Sequence, residues 1–257
     1  MTGEETATPR VPRTFGLKDV FTCINLLGGL GAIILCVEGR VDLAPYSFLL
    51  GYGLGDAVDG LVARLTRTGN RFGAEFDNIS DHLAQCIAPA IIVYSQYRPL
   101  SPWLAVALAA MLVIAGSVRH ARAATVSFSF PGAFLGMPRT ISSFLVISFT
   151  SSRLIFHVPG GRWLGVALVV LVAVANLLPL PFRTHKSGQK RFEKWEAAGF
   201  FSTTALALIF LTPYTFDVVF MWILIYSMFS WGALEPYELR AFFARAAWWR
   251  RQLRQAR

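Results

Sequence analysis

Long apolar runs separated by short polar stretches dominate this chain. Eight of these runs approach or reach the length of a membrane-spanning helix, and charged residues, glycine or proline separate them. The pattern predicts an all-α, polytopic transmembrane helical bundle of about eight spans. The last two runs are short, and a single re-entrant hairpin is an alternative for them. The predicted spans cover residues 20–37, 43–63, 76–94, 103–118, 140–156, 163–180, 197–211 and 216–234.

Composition favours a membrane protein over a soluble one. Hydrophobic residues make up 54% of the 257 positions and charged residues only 15%, which is more apolar than a soluble domain of this size. The net charge of +9 is compatible with nucleic-acid binding, but the basic residues cluster between the predicted spans, where membrane topology accounts for them. We therefore expect the lipid bilayer, and no nucleic acid, as a partner.

The distribution of basic residues predicts the orientation in the membrane. The chain has 24 Lys and Arg residues, and all but four of them fall near the N-terminus, in alternate loops or in the C-terminal tail. Both termini are therefore expected on the cytoplasmic side of the cell inner or plasma membrane. We predict a disordered cytoplasmic tail at 1–16, a transmembrane domain at 17–235, and a basic amphipathic tail at 236–257 that lies on an anionic leaflet.

Four aspartates lie between the second and third apolar runs or at their edges, in a chain with only 15 acidic residues. In helices, Asp56 and Asp59 are three residues apart and share one face. Asp77 and Asp81 are four apart and share another face. If the two helices are antiparallel neighbours, all four carboxylates converge. Like charges this close require a cation among them, and Mg²⁺ or Mn²⁺ suits oxygen ligands.

The same stretch resembles the signature of a known family. The pattern Asp-x2-Asp-Gly-x2-Ala-Arg-x8-Gly-x3-Asp-x3-Asp, typical of CDP-alcohol phosphotransferases, matches residues 56–81 at every fixed position. The resemblance implies a six-helix core, followed here by two further spans. It also implies transfer of a phosphatidyl-type group from a CDP-activated lipid, such as CDP-diacylglycerol, to an alcohol with release of CMP. Two Mg²⁺ or Mn²⁺ ions and a homodimer belong to the same expectation.

The resemblance also implies roles for individual residues. Asp56, Asp59 and Asp77 would hold the metal ions. Asp81, which can also touch a metal, would be the general base on the acceptor hydroxyl. Asn70 stands where the family has Ser or Thr, and its amide can still form a hydrogen bond. The expected contacts of the CDP-lipid are Asp56, Asp59, Gly60, Ala63, Arg64, Asn70, Gly73 and Asp77.

Further similarities favour L-serine as the acceptor alcohol. Thr22 and Asn25, at helical spacing in the first span, resemble the opening motif of membrane-spanning phosphatidylserine synthases. The pair Arg119-x2-Arg122 resembles another element of that group. Arginines here would suit a serine carboxylate or a lipid phosphate, although positive-inside topology also explains a basic loop. The candidates for this anion-binding role are Arg119, Arg122 and Arg139.

Other functions stay open at this point. The same chemistry would serve inositol phosphate, glycerol phosphate or choline as the acceptor. A cation- or proton-coupled transporter also uses intramembrane carboxylates, but its charges should lie deep within several spans. Here they gather at one edge, beside Gly60 and Arg64. A non-catalytic scaffold has no need of all four aspartates.

Overall fold

Helices form most of the structure. A computed structural model describes residues 15–58, 62, 71–126, 128–183, 191–230 and 234–255. The described α-helices are α1 (Leu17–Val37), α2 (Ala44–Gly51), α3 (Arg71–His82), α4 (Ala88–Tyr97), α5 (Pro102–Thr125), α6 (Arg139–Thr150), α7 (Gly161–Leu177), α8 (Arg191–Phe210), α9 (Thr215–Phe229) and α10 (Pro236–Gln255). Single π-helical turns follow α2 (Tyr52–Asp56) and α3 (Leu83–Ile87), and a 3-10 turn (Thr212–Tyr214) precedes α9.

Several of these helices have the length and composition of membrane spans. Three described segments are long and apolar enough to cross a bilayer, namely Leu17–Val37, Pro102–Thr125 and Thr212–Phe229. Shorter apolar helices cover Gly161–Leu177 and Ala198–Phe210. The chain is thus a membrane helical bundle, as the hydrophobic pattern predicts, while the number of eight spans stays a prediction.

The predicted fifth span is wrong at its C-terminal end. We expected a helix over 140–156, but α6 ends at Thr150 and turns follow it. The buried Asp217 of α9 accepts hydrogen bonds from the Ser152 hydroxyl and from the next two backbone N–H groups. These bonds stabilise the turn, because they satisfy donors that a longer helix would have bonded internally.

The segment after the fourth span also differs from expectation. The helix predicted over 103–118 continues to Thr125, so the basic residues at 119–122 lie within α5 and not in a loop. Strand β1 (Ala133–Leu135) then pairs antiparallel with β2 (Pro181–Arg183). The all-α prediction missed this short sheet, because each strand has only three residues and too little length to show a periodic pattern.

Glycines allow α1 and the α2 segment to pack closely. A Cβ atom on Gly51 would lie 2.6 Å from the Cα of Gly28, and one on Gly55 would collide with the backbone of Asn25. Larger side chains are therefore excluded at both positions, whose four-residue spacing is typical of closely packed membrane helices. This packing brings Asp56, which directly follows Gly55, against α1.

The C-terminal helix α10 packs one of its faces on the protein. Phe242 and Trp249 are buried, and the Phe242 ring centroid lies 5.5 Å from that of Phe128. Trp249 Nε1 donates a hydrogen bond of 2.7 Å to the carbonyl of Val126. We expected this apolar face to rest on lipid, but the segment after α5 covers part of it. Contact of the basic face with an anionic leaflet stays a prediction.

Candidate active site

Three of the four predicted aspartates converge. Asp56 ends the π-helical turn after α2, and Asp77 and Asp81 lie one helical turn apart on α3. One carboxylate oxygen from each lies within 4.8 Å of the other two. Asp59 lies outside the described residues. For the aspartates that the structure describes, the helical spacing therefore leads to the expected cluster.

Helix α1 holds α3 in this position. Thr22 and Asn25 are both buried on α1. The Ser80 hydroxyl of α3 donates a 3.0 Å hydrogen bond to the Thr22 carbonyl, and Asn25 Nδ2 donates one of 3.0 Å to Asp81 Oδ1. The two polar positions singled out in the first span thus both face α3, and Asn25 reaches an aspartate of the cluster.

Both oxygens of Asp81 are hydrogen-bonded. The side chain is buried, and its Oδ1 accepts hydrogen bonds of 3.0 Å from Asn25 Nδ2 and from Gln85 Nε2. Its Oδ2 lies 3.2 Å from Arg139 Nη2 in a salt bridge. A buried carboxylate without a cationic partner is strongly unfavourable, so Arg139 offsets its charge. Together these donors fix the orientation of the carboxylate.

A second layer of side chains positions these partners. Arg139 Nη1 lies 3.1 Å from His120 Nδ1, which must be the acceptor because a guanidinium only donates. The Thr140 hydroxyl donates a 2.9 Å hydrogen bond to Gln85 Oε1. Arg139 and Thr140 begin α6, so the N-terminal turn of that helix supplies both a partner of Asp81 and a partner of Gln85.

Asp77 retains capacity to bind a cation. Its Oδ1 is buried and has no hydrogen-bond partner in the described part of the chain, while its Oδ2 lies 3.9 Å from Lys18 Nζ. A buried polar atom without a partner is unusual in folded proteins. Together with the nearby oxygens of Asp56 and Asp81, it offers the hard oxygen ligands that Mg²⁺ and Mn²⁺ prefer. These residues therefore fit a divalent cation.

The other predicted site residues lie in different places. Gly73 is buried on α3, one turn before Asp77. Arg119 on α5 has a buried Nε that lacks a hydrogen bond within the described residues. Arg122 donates a 3.0 Å hydrogen bond to the Leu177 carbonyl, and it bonds to no aspartate within the described residues. Five predicted CDP-lipid contacts lie outside the described residues, namely Asp59, Gly60, Ala63, Arg64 and Asn70.

The sequence-based assignment of site residues left out several side chains that contact the cluster or its partners, among them Gln85, Lys18, His120 and Thr140. Gln85 follows Asp81 by four positions and therefore shares its helix face. A buried glutamine in an apolar run also needs a polar partner, so this signal was present in the sequence. Lys18 and His120 gave no such signal, because their contacts with Asp77 and Arg139 depend on how distant helices pack.

Comparison with known families identifies the class of this protein. Residues 16–174 match a family model described as CDP-alcohol phosphatidyltransferase, and this match covers more than half of the 257-residue chain. The chain therefore belongs to the CDP-alcohol phosphatidyltransferase family and is a membrane transferase of that class. The resemblance seen in residues 56–81 is thus confirmed.

Individual relatives are named for serine transfer. A CDP-diacylglycerol–serine O-phosphatidyltransferase of Helicobacter pylori is 31% identical over 218 residues, which cover 83% of this chain and 90% of that protein. The protein of the same name from Methanocaldococcus jannaschii is 32% identical over 133 residues, or 52% of this chain and 59% of the relative. An archaetidylserine synthase of Methanothermobacter thermautotrophicus is 29% identical over 151 residues, which cover 55% of this chain and 63% of that protein.

Proposed function

We propose that this enzyme transfers the phosphatidyl group of CDP-diacylglycerol to the hydroxyl of L-serine and releases CMP. The convergence of Asp56, Asp77 and Asp81 carries the proposal, because such carboxylates suit metal-assisted attack on a pyrophosphate. The choice of serine is supported by the names of the relatives, above all by the one that matches most of the chain.

In this proposal, four aspartates hold two Mg²⁺ or Mn²⁺ ions. The bound ions would polarise the pyrophosphate and stabilise the departing CMP. Asp56 reaches the site from the α2 segment and Asp77 from α3, where its Oδ1 lacks another partner among the described residues. Asp59 and Asp81 are the other two proposed metal ligands. Lys18 offsets part of the negative charge from the other side of Asp77.

Asp81 is the proposed general base. It accepts the proton of the serine hydroxyl while the serine oxygen bonds to the lipid-side phosphorus and the bond from that phosphorus to CMP breaks. Within the described residues, Oδ2 has one hydrogen-bond donor, Arg139, and therefore keeps a lone pair for the proton. Asn25 and Gln85 fix the carboxylate before substrate binds. Direct displacement requires no covalent enzyme intermediate.

The CDP group and the acceptor are assigned to neighbouring residues. On the family pattern we place the CDP group against Asp56, Asp59, Gly60, Ala63, Arg64, Asn70, Gly73 and Asp77. Arg119, Arg122 and Arg139 are candidates for the acceptor carboxylate or a lipid phosphate. Of these three arginines, Arg139 is the one with a salt bridge to an aspartate of the cluster in the described structure, and we assign the serine carboxylate to it.

An apolar groove beside the cluster suits a lipid chain. It has a volume of about 180 Å³ and is lined by residues of α6, α8 and α9. Tyr52, which begins the π-helical turn that ends at Asp56, lines it, as does Thr140, which bonds Gln85. We propose that an acyl chain of CDP-diacylglycerol enters here from the bilayer, because burial of apolar surface favours it.

The orientation and assembly of the enzyme complete the proposal. The active site and both termini face the cytoplasm, where CDP-lipids and divalent cations are found. The chain comprises a cytoplasmic tail at 1–16, the transmembrane catalytic domain at 17–235 and the basic tail at 236–257, and it functions as a homodimer.

A headgroup screen with purified protein tests the acceptor. With CDP-diacylglycerol and Mg²⁺ or Mn²⁺, L-serine should drive CMP release, whereas inositol phosphate, glycerol phosphate and choline should not. The Asp81→Asn variant provides the background rate. CMP release driven by inositol phosphate but not by serine would remove the serine assignment and keep the reaction class. Ion flux into liposomes without CMP formation would instead indicate a transporter.

A further inference from the structure

A second cavity is lined by arginines and not by aspartates. It has a volume of about 580 Å³, which is within the range of small-molecule sites. Arg119 and Arg122 reach it from α5, and Arg250 and Arg254 reach it from α10. No acidic side chain lines it among the described residues. We refer to this cavity, defined by the four arginines, as the arginine pocket.

Membrane topology alone does not account for this arrangement. Arg250 and Arg254 are exposed, as the positive-inside rule alone would leave them, but Arg119 has a buried Nε without a hydrogen-bond partner within the described residues. Arg250 and Arg254 are one helical turn apart, a spacing at which like charges destabilise a helix. Four guanidinium groups around one cavity repel each other, and a bound anion would remove this repulsion.

Helix α10 is held against the pocket by aromatic side chains. Trp249 Nε1 donates a 2.7 Å hydrogen bond to the Val126 carbonyl, and its ring centroid lies 6.3 Å from that of Phe128. Both aromatic residues also line the pocket. Tryptophan and other aromatic side chains are typical of the boundary between lipid and water. The pocket therefore combines cationic groups of α5 and α10 with aromatic residues of the kind found at a membrane interface.

The arginine pocket is distinct from the proposed acceptor position. Neither Arg139 nor an aspartate of the cluster is among its described lining residues. Asn176 lines both this pocket and an adjoining cavity of only about 20 Å³ that contains Gln85 and Arg139. Its Nδ2 donates hydrogen bonds of 2.9 Å to the Ser142 hydroxyl and to a backbone carbonyl, so the amide is held in place. A cavity of about 580 Å³ also far exceeds what a serine molecule would fill.

We propose that the arginine pocket binds a phosphate ester, at a second site separate from the aspartates. Planar guanidinium groups bind phosphate oxygens through paired, charge-assisted hydrogen bonds, and several of them can share one phosphate. The ester is either the headgroup of an anionic phospholipid or a soluble phosphate ester. The two sources share their chemistry but differ in the need for an attached lipid chain.

Titration without divalent cations tests the proposal. The purified enzyme in neutral detergent with EDTA is titrated calorimetrically with inorganic phosphate, glycerol 3-phosphate, dioctanoyl phosphatidylglycerol and dioctanoyl phosphatidylcholine. EDTA abolishes metal-dependent binding at the aspartates, so this test does not depend on the proposed function. We expect saturable binding of phosphatidylglycerol that is tighter than that of the zwitterionic phosphatidylcholine.

Matched double variants of α10 assign the binding to the pocket. Arg250→Gln with Arg254→Gln removes two charges that line the pocket. Arg240→Gln with Arg251→Gln removes two charges that are exposed like Arg250 and Arg254 but do not line the pocket. The first pair should raise the Kd at least ~10-fold, because charge-assisted hydrogen bonds are lost. The second pair should leave the Kd within about twofold of wild type, the change that exposed charges cause.

The possible results separate the two sources and can overturn the proposal. Binding of phosphatidylglycerol alone identifies a lipid headgroup, and binding of glycerol 3-phosphate or inorganic phosphate identifies the phosphate group itself. Arg250→Lys with Arg254→Lys keeps the charge, so it should retain the wild-type Tm and an intermediate Kd. The proposal is overturned if the two pairs of glutamine variants lose the same affinity for phosphatidylglycerol. It is also overturned if wild type binds phosphatidylcholine as tightly as phosphatidylglycerol, or binds none of the four ligands saturably.

Discussion

Two buried aspartates lie at opposite ends of α6 and have very different surroundings. Asp81, near the N-terminal end, pairs with Arg139 and has the carboxylates of Asp56 and Asp77 beside it. Asp217, near the C-terminal end, accepts hydrogen bonds from the Ser152 hydroxyl and two backbone N–H groups. No basic side chain forms a salt bridge with Asp217 in the part of the chain that the structure describes.

This difference separates the proposed catalytic carboxylate from a structural one. Both side chains are buried, so burial in a membrane bundle does not by itself identify the functional residue. Asp217 receives neutral donors and sits in the first turn of α9, where a negative charge is favourable. Asp81 belongs to a group of like charges that is stable only with cations nearby. We therefore propose that Asp81 carries the chemistry and that Asp217 stabilises the turn after α6.

The largest expected effect is that of Asp81→Asn. Asparagine keeps the shape of the side chain but cannot accept the serine proton, so turnover should fall at least ~10²-fold. CDP-diacylglycerol binding should be largely retained. CMP release and lipid binding, measured on the same preparation, check this prediction. Wild-type turnover in this variant would exclude Asp81 as the general base.

Replacement of Asp77 should weaken the binding of Mn²⁺ and CDP-diacylglycerol more than it impairs the proton transfer to Asp81. Asp77→Asn removes the carboxylate whose Oδ1 has no partner among the described residues, so the affinity for Mn²⁺ should fall at least ~10-fold. Metal-dependent binding of CDP-diacylglycerol should weaken with it, and Asp56→Asn should behave alike. If Asp81→Asn loses as much lipid binding as these two variants, the division into metal ligands and base is wrong.

A smaller effect is expected from Thr140→Val, which removes the hydrogen bond to Gln85 Oε1. A neutral hydrogen bond of this kind contributes about 1 kcal/mol, so kcat should fall about fivefold through looser positioning of Asp81. Thr150→Val is the matched control, because Thr150 is buried on the same helix and bonds only carbonyls of α6 within the described structure. An equal fall in kcat in the Thr140→Val and Thr150→Val variants would indicate a general effect on α6.

Asp217→Asn should leave turnover close to wild type. The amide cannot accept all three hydrogen bonds, so the free energy of unfolding should fall by about 1–3 kcal/mol. Thermal unfolding and CMP release, measured side by side, check both parts. A large loss of kcat at unchanged stability would remove the contrast between Asp217 and Asp81.

The helices and the aspartate cluster could be predicted because both depend on local spacing. A bilayer requires long apolar runs, and carboxylates three or four positions apart share a helix face. The pairing of Arg139 with Asp81 spans 58 positions, and that of Ser152 with Asp217 spans 65. Such contacts depend on tertiary packing, which explains why the end of α6 was predicted too late.

Binding of Mn²⁺ to the purified enzyme, followed by electron paramagnetic resonance, tests the central claim most directly. The account predicts that wild type and Asp217→Asn deplete the signal of free Mn²⁺ to the same saturable extent. The Asp56→Asn and Asp77→Asn variants should bind much less Mn²⁺ than wild type. Mn²⁺ binding that is unchanged in the Asp56 and Asp77 variants would contradict the claim that these converging carboxylates hold the divalent cations.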